Sequence, residues 1–253
     1  ISKQDMVSVP GGTFVQQDLA SNTFNHTLSA FSLGKYEVTY ELWLAVRQWA
    51  ATHGYTFVNA GREGHDGIVG AATTAAKHEP VTQVSWRDAV VWANAYSEMA
   101  GYTPVYTTAD GTVVRDASES SVVDGCGANW GATGYCLPSE GESQYAARYQ
   151  DGTTFTAYDY ASGDSAAYGS SGTIGNYAWY SANAGAATHN VGEKTANQLG
   201  IVDMAGNVNE WTWDLQAAYP TGDYADYRGP ASGDKRIVRG GAWDSGADYL
   251  PVS

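Results

Sequence analysis

Apolar residues recur at helical spacing in two stretches of this chain and at strand spacing near its start, with turn-forming residues between them. Leu42, Val46 and Trp49 fall on one side of a helix that starts at Thr39 or Tyr40 and runs to Ala50. A second helix follows Ser85, which has the side chain of an N-cap, with Asp88 three positions on. Ala89, Trp92, Ala93 and Tyr96 form its apolar face, and Gly101 supplies the stop. A third helix is expected after Ser139, because Ser139 and Glu142 stand at capping-box spacing and Glu140 places a negative charge in the first turn. At the start of the chain, residues 6–14 alternate around Pro10-Gly11-Gly12 and read as hairpin arms, with residues 30–39 as the returning strand.

Three long segments break this pattern. Residues 54–79 show no strong period and read as an inserted loop. Within it the run GREGHDG (61–67) has two readings, an acidic turn of the Ca²⁺-binding kind or an ordinary surface loop. Residues 107–134 form a second insertion, rich in Gly and Asp. Between 158 and 190 Gly, Ser, Ala and Tyr dominate, so irregular structure braced by Tyr177, Trp179 and Tyr180 is expected. The chain of 253 residues carries 30 Gly, 9 Trp and 18 Tyr with only 16% charged residues, the profile of a loop-rich globular protein and not of a disordered one.

Charge and hydropathy narrow the partners. The 13 basic and 27 acidic residues leave a net charge of -14, which disfavours nucleic acid and anionic membrane surfaces. No run of about 18 apolar residues occurs, so no segment reads as a membrane-spanning helix. The first residue is Ile1 and not Met, from which a removed leader is expected.

Catalytic arrangements are hard to find. The chain has no phosphate-binding glycine loop, no G-x-S-x-G elbow and no H-E-x-x-H helix. Glu140 and Glu142 could suggest paired carboxylates, but helix capping accounts for both. His26, His53, His65, His78 and His189 are scattered, with no pair at i, i+4. Cys126 and Cys136 read as a disulfide across a short loop or as two buried thiols, in preference to a metal or redox role.

Five blocks, taken together and in order, resemble one family. LGIVDMAGNVNEW (199–211), RGGAW (239–243), CLPSEGESQYAAR (136–148), PVTQVSWRDAVVWANA (80–95) and GKYEVT (34–39) are similar to the motifs of formylglycine-generating-enzyme-type sulfatase-modifying domains. Cys136 and Ser143 stand where that family usually has Arg and Trp. The resemblance implies an α+β architecture: the C-type-lectin-like fold in its formylglycine-generating-enzyme variant, with short strands, few helices and long irregular loops, as one domain over residues 1–253.

Its chemistry is another matter. The enzymes of this family are copper-dependent oxidases, and the resemblance places their cysteine pair just after the R-G-G-S-W strand, where thiolates select Cu(I). Residues 244–250 contain no cysteine, so no copper and no oxidase activity are expected. The three-histidine iron site of a second enzymatic branch is not matched either. The competing expectation is a copper oxidase or its accessory subunit whose catalytic residues lie beyond Ser253 or on a partner. The resemblance also implies a structural Ca²⁺ held by Asp203, Glu210 and the carbonyls of Gly206 and Val208. The alternative is that Asp203 and Glu210 accept hydrogen bonds from loop amides while Asn207 stabilises the turn. The family's closing G-F-R strand does not follow Trp243, and is either missing or altered.

One branch fits both the scaffold and the missing cysteines: surface proteins diversified by retroelements, including the Treponema variable proteins, which the wording GKYEVTYELWLAVRQWA also resembles. Adenine-directed mutagenesis of an AAC codon excludes Lys, Glu, Gln, Met and Trp, and none of these occurs in residues 244–253. The ligand surface is then expected at Asp244, Ser245, Ala247, Asp248, Tyr249, Leu250 and Val252. Tyr249, Leu250 and Val252 would be apolar anchors, Asp244 and Asp248 a polar rim, and Trp243 a support from the core. The plain alternative is an undiversified loop and strand. The partner implied is a protein or glycan, met at the cell surface or outside the cytoplasm, with an outer-membrane lipid anchor lost with the leader.

Overall fold

The computed structural model describes residues 4–18 and 20–252, so Ser253, included in the codon pattern above, lies outside the described residues. The chain opens with four strands: β1 (Met6–Val9), β2 (Gly12–Gln17), β3 (Thr23–Leu28) and β4 (Phe31–Gly34). Pro10-Gly11-Gly12 is not a hairpin turn, contrary to the alternation. β1 pairs antiparallel with β4 and β2 with β3, so β1 and β2 lie along the same arm of one long hairpin. Pro10 has no N–H for a ladder, and a Cβ on Gly11 would meet the Leu28 carbonyl oxygen at 2.5 Å, so this is where the arm bends. The reversal comes at residues 18–22, where Asp18 Oδ1 accepts from the amides of Ala20 (3.0 Å) and Asn22 (2.8 Å). The returning strand is also shorter than expected, ending at Gly34.

The described residues cluster into two compact units, Val38–Leu137 and, around it in sequence, Gln4–Glu37 with everything from Pro138 onward. The first unit holds α1 (Tyr40–Ala50), β5 (Arg62–Glu63), β6 (Val81–Thr82), α2 (Trp86–Met99), β7 (Tyr106–Thr107), α3 (Ser120–Asp124) and β8 (Gly127–Ala128). Both anticipated helices begin where their caps predict. Thr39 Oγ1 accepts from Leu42 N, and Ser85 and Asp88 form a full capping box; the second helix ends before Gly101, at φ +80°. α1 buries Leu42, Trp43 and Val46, while Trp49 turns outward enough to stack on His53 at 3.8 Å. α2 is buried beyond its expected stripe: Val90 and Val91 are also inside, and Trp92 stacks on Trp43 at 5.5 Å.

The insertions carry more structure than their composition suggests. In the GREGHDG run, the Glu63 carboxylate is buried and accepts from Thr73 N (2.6 Å) and Thr73 Oγ1 (2.8 Å), so it ties the loop to residue 73 as an ordinary structural contact does. The segment 107–134 holds α3 and the β7–β8 pair, fixed to α2 by Asn94, which donates to Tyr106 O and accepts from Tyr106 N. Cys126 is half-buried and Cys136 exposed, so the buried-thiol reading does not hold.

The second unit continues with α4 (Glu140–Arg148), β9 (Glu210–Leu215), β10 (Asp223–Ala225) and β11 (Arg236–Arg239). The Ser139/Glu142 capping box forms as expected. β9 and β11 pair antiparallel, and β10 joins the edge of β3 in parallel. The other edge, β2, is closed by α4: Arg148 Nη1 donates to Val15 O, and Gln144 bonds both main-chain groups of Gln17. Such side-chain cover blocks further strand pairing. One core gathers Val9, Phe14, Leu28, Tyr145, Ile201 and Met204, and a smaller one Ala161, Ile174, Ala178, Ala205 and Leu250. Residues 158–190 are irregular apart from one 3₁₀ turn at Ile174–Asn176. Among the described residues no strand follows β11; the chain instead forms a 3₁₀ turn at Ala247–Tyr249.

Candidate functional site

The segment 203–210 and the segment after Arg239 are built against each other. Gly206 N donates to Gly240 O (2.8 Å), and Trp243 N to Asn207 O (2.9 Å). Asn207, at φ +59°, is the centre of the loop. Its Oδ1 accepts from His189 N (3.0 Å), and its Nδ2 donates to Glu37 Oε2 (2.6 Å) and His189 O (3.2 Å). Glu37 Oε1 accepts in turn from Val208 N (3.1 Å). The expected role of Asn207 in stabilising the turn is therefore met. Glu37 and His189 are the partners that sequence reasoning missed, since nothing local links them to a residue 170 positions away in the first case and 18 in the second.

Two of the expected calcium ligands carry carboxyls with unusual acidities. Asp203 is buried at φ +63°; its Oδ2 accepts from Gly192 N (2.6 Å), while Oδ1 is buried with no hydrogen-bond partner. Burial pushes the Asp203 carboxyl up to about 6, the Gly192 amide opposing the shift. Burial likewise pushes Glu210 up to about 7, with Asp203 adding to it. Burial raises Glu37 as well, reinforced by Asp203 and Glu210. An orphaned carboxylate oxygen among three mutually repelling acids suits a cation. Among the described residues, however, no three His, Cys, Asp or Glu side chains converge as a metal cluster, so an ion here would take most of its shell from main-chain carbonyls.

The acidities fix a sign. A native carboxyl with raised pKa binds more protons than the unfolded chain between about pH 4 and 7, so its contribution to stability falls as pH rises through that window. In calcium-free buffer the Asp203→Asn variant, which keeps the left-handed backbone and an acceptor for Gly192 N, should gain on the order of 1–3 kcal/mol at pH 8 and little at pH 5. Chemical denaturation at the two pH values checks this. A loss of stability at pH 8 would mean that the ionised carboxylate is the form the native loop holds.

The seven residues expected to face a ligand divide sharply. Tyr249 is 70% exposed, and Asp244 and Asp248 are exposed beside it. Leu250 (0% exposed) and Val252 (5%) are core residues, so the apolar anchors expected at these positions are corrected: both face inward and Tyr249 alone is presented. Ser245 is half-buried and committed internally, its amide to Ala242 O, its hydroxyl to Ala242 N and its carbonyl to Ser181 N. Ala247 is half-buried against the smaller core. Gly241, at φ +72°, lets the turn close, since a Cβ there would lie 2.6 Å from Tyr249 O. The result is a short, internally pinned turn presenting one tyrosine and two carboxylates. Trp243 is half-buried.

The family model for the sulfatase-modifying factor enzyme 1-like domain matches residues 1–252. The chain belongs to this family. It is similar to chaperone protein LppX of Paenibacillus barcinonensis, 31% identical with 98% of this chain and 82% of LppX covered. Among solved structures it is similar to Treponema denticola variable protein 1, with a TM-score of 0.76 and 30% identity over 98% of this chain and 86% of that one. It is also similar to CarF, with a TM-score of 0.69 and 31% identity over 94% and 93% of the two chains. The fold is the C-type-lectin-like fold in its formylglycine-generating-enzyme variant, with the few helices, short strands and long loops expected of it.

Proposed function

We propose that this chain is a non-catalytic ligand-binding protein, displayed outside the cytoplasm, whose patch at Asp244, Asp248 and Tyr249 contacts a protein or glycan and is diversified by a retroelement. The observation that carries the reading is the turn at Ala247–Tyr249: where the enzymes of the family would need thiolates, this chain has none and holds an exposed tyrosine on a pinned backbone. Tyrosine gives a large contact area at low entropic cost, and neighbouring carboxylates add directional polar contacts. The similarity to a variable protein and a chaperone supports the same reading. Among the described residues no helix is long and apolar enough to cross a membrane.

Binding to arrayed glycans and proteins tests the patch. Tyr249→Ala should weaken any specific hit by about tenfold or more with the melting temperature unchanged. A hit that survives both Tyr249→Ala and Asp248→Ala places the ligand surface elsewhere. Titration with Cu(I) tests the absence of oxidase chemistry: no stoichiometric binding is expected, and tight binding would contradict it.

A structural Ca²⁺ held by Asp203, Glu210 and the carbonyls of Gly206 and Val208 belongs to the same proposal. Its support is the orphaned, buried Asp203 Oδ1. Millimolar calcium should raise the melting temperature of the wild type and leave Asp203→Asn unmoved. An equal response of both proteins would remove the ion from this loop.

A further inference from the structure

A second buried polar network, apart from the loop and the patch, ties down the segment 223–227. His26 on β3 is fully buried between Phe24 (ring centroids 5.2 Å apart) and Phe14 (5.9 Å). Its Nδ1 lies 2.6 Å from Gln16 Oε1, and its Nε2 accepts from the main-chain N–H of Tyr227 at 2.8 Å. These contacts fix the proton. Gln16 must turn its amide nitrogen to the Glu140 carboxylate, which leaves Oε1, an acceptor, facing Nδ1. Tyr227 N–H can only donate, so Nε2 must keep its lone pair. One neutral tautomer, with hydrogen on Nδ1, satisfies every partner. The ring packs closely against Gly141, where a Cβ would come within 2.4 Å of Cε1 and 2.6 Å of Nδ1.

The charged groups around the ring oppose one another. The segment contributes Asp226, which favours a proton on the imidazole, and Arg228, the residue after the segment, disfavours one; α4 contributes Glu140 through Gln16, and β2 only the neutral Gln16. Tyr219, which donates to Glu140 (2.7 Å), and Tyr227 complete the surroundings. Asp226 is itself engaged by Ser29 N (2.8 Å) and Ser29 Oγ (2.7 Å). Burial dominates and holds the imidazole down to about 4. Residues 223–227 are also held by the three-residue parallel ladder to β3, by the Asp226 N to Thr27 O bond, by Asn25 Nδ2 donating to Asp223 Oδ1 (2.8 Å) and by Phe24 against the rings of Tyr224 (6.0 Å) and Tyr227 (5.7 Å).

We propose that His26 is an acid-sensitive latch for the strap 223–227: a proton on Nε2 removes the only acceptor the Tyr227 amide has on the ring, sets two donors against each other, and releases the strap from β3 while α4 and the core stay folded. The neutral ring is the holding form. With its pKa lower in the latched state than in the open one, attachment is intact above the ordinary histidine range and weakens as pH falls towards 4.

Amide hydrogen exchange of the full chain, followed residue by residue from pH 7 to pH 4, tests this. The opening constant of the strap, read at Tyr227, should rise by up to about tenfold per pH unit below about 6.5 while the Tyr145 amide in α4 stays protected. His26→Asn keeps a donor towards Gln16, but its shorter side chain places no acceptor at the position of Nε2 facing the Tyr227 amide, so its strap should exchange rapidly already at pH 7. Should that variant not fold, ¹⁵N shifts of the wild-type ring serve instead, with hydrogen on Nδ1 at pH 7 and Nε2 gaining its proton as the strap opens. A strap that stays protected to pH 4, one that opens only together with α4, or a folded His26→Asn variant with full protection at Tyr227 would each overturn the latch.

Discussion

Replacing Leu250 by alanine is expected to lower stability by about 2–5 kcal/mol, while replacing its neighbour Tyr249 is expected to change it by less than about 0.5 kcal/mol. The two side chains are adjacent in sequence and opposite in environment, Leu250 at 0% exposure among Ala161, Ile174, Ala178 and Ala205, and Tyr249 at 70%. Truncating Leu250 leaves a cavity that a core of small side chains cannot fill, and it removes the weight that pins the Ala247–Tyr249 turn. Truncating Tyr249 removes contact area that faces water. Denaturant melts of both variants check the contrast, and the pair separates folding from binding. A Leu250→Ala protein as stable as the wild type would show that the chain after Trp243 is not docked as described, and the rigidity claimed for the patch would fall with it.

Gly206→Ala is expected to cost about 2–5 kcal/mol, a fall of roughly 5–15 °C in melting temperature. Two terms add. Gly206 sits at φ +82°, a conformation that L side chains adopt at a cost of about 1–2 kcal/mol, and a Cβ there would lie 2.2 Å from Trp179 O and 2.8 Å from Trp179 N. Those atoms are main chain and cannot swing away, because Trp179 O already accepts from Asn207 N at 2.8 Å and Gly206 N is tied to Gly240 O. Gly54→Ala isolates the first term: φ is +77° but nothing lies within 4 Å of the added Cβ, so about 1 kcal/mol is expected. Equal losses in the two variants would mean that the close packing of Trp179 on the 203–210 loop contributes nothing.

What could be read from the chain followed the range of the interaction. The caps at Ser85/Asp88 and Ser139/Glu142 depend on residues three apart, and both form. Pairing depends on distant partners, and there local alternation misled: Pro10-Gly11-Gly12 looks like a turn because nothing near it says that β1 will pair with β4 instead of β2. The parallel addition of β10 to β3, joining Asp223 to Asn25, leaves no local trace at all. At the patch, the chemistry of the residues was legible but their direction was not. In a 3₁₀ turn successive side chains are about 120° apart, so Tyr249 points out while Leu250, at the end of the turn, points in, and composition cannot separate them. Ser245, with the composition of a contact residue, proved to be the staple of its own turn.

The central claim, that a fixed scaffold presents a variable surface, is tested most directly by sequencing this gene across many isolates and mapping substitutions onto exposure. The account predicts adenine-linked changes concentrated at the codons for Asp244, Asp248 and Tyr249, with the codons for Leu250, Val252 and the 203–210 loop unchanged. A uniform sequence, or substitutions spread evenly over exposed and buried positions alike, would contradict it.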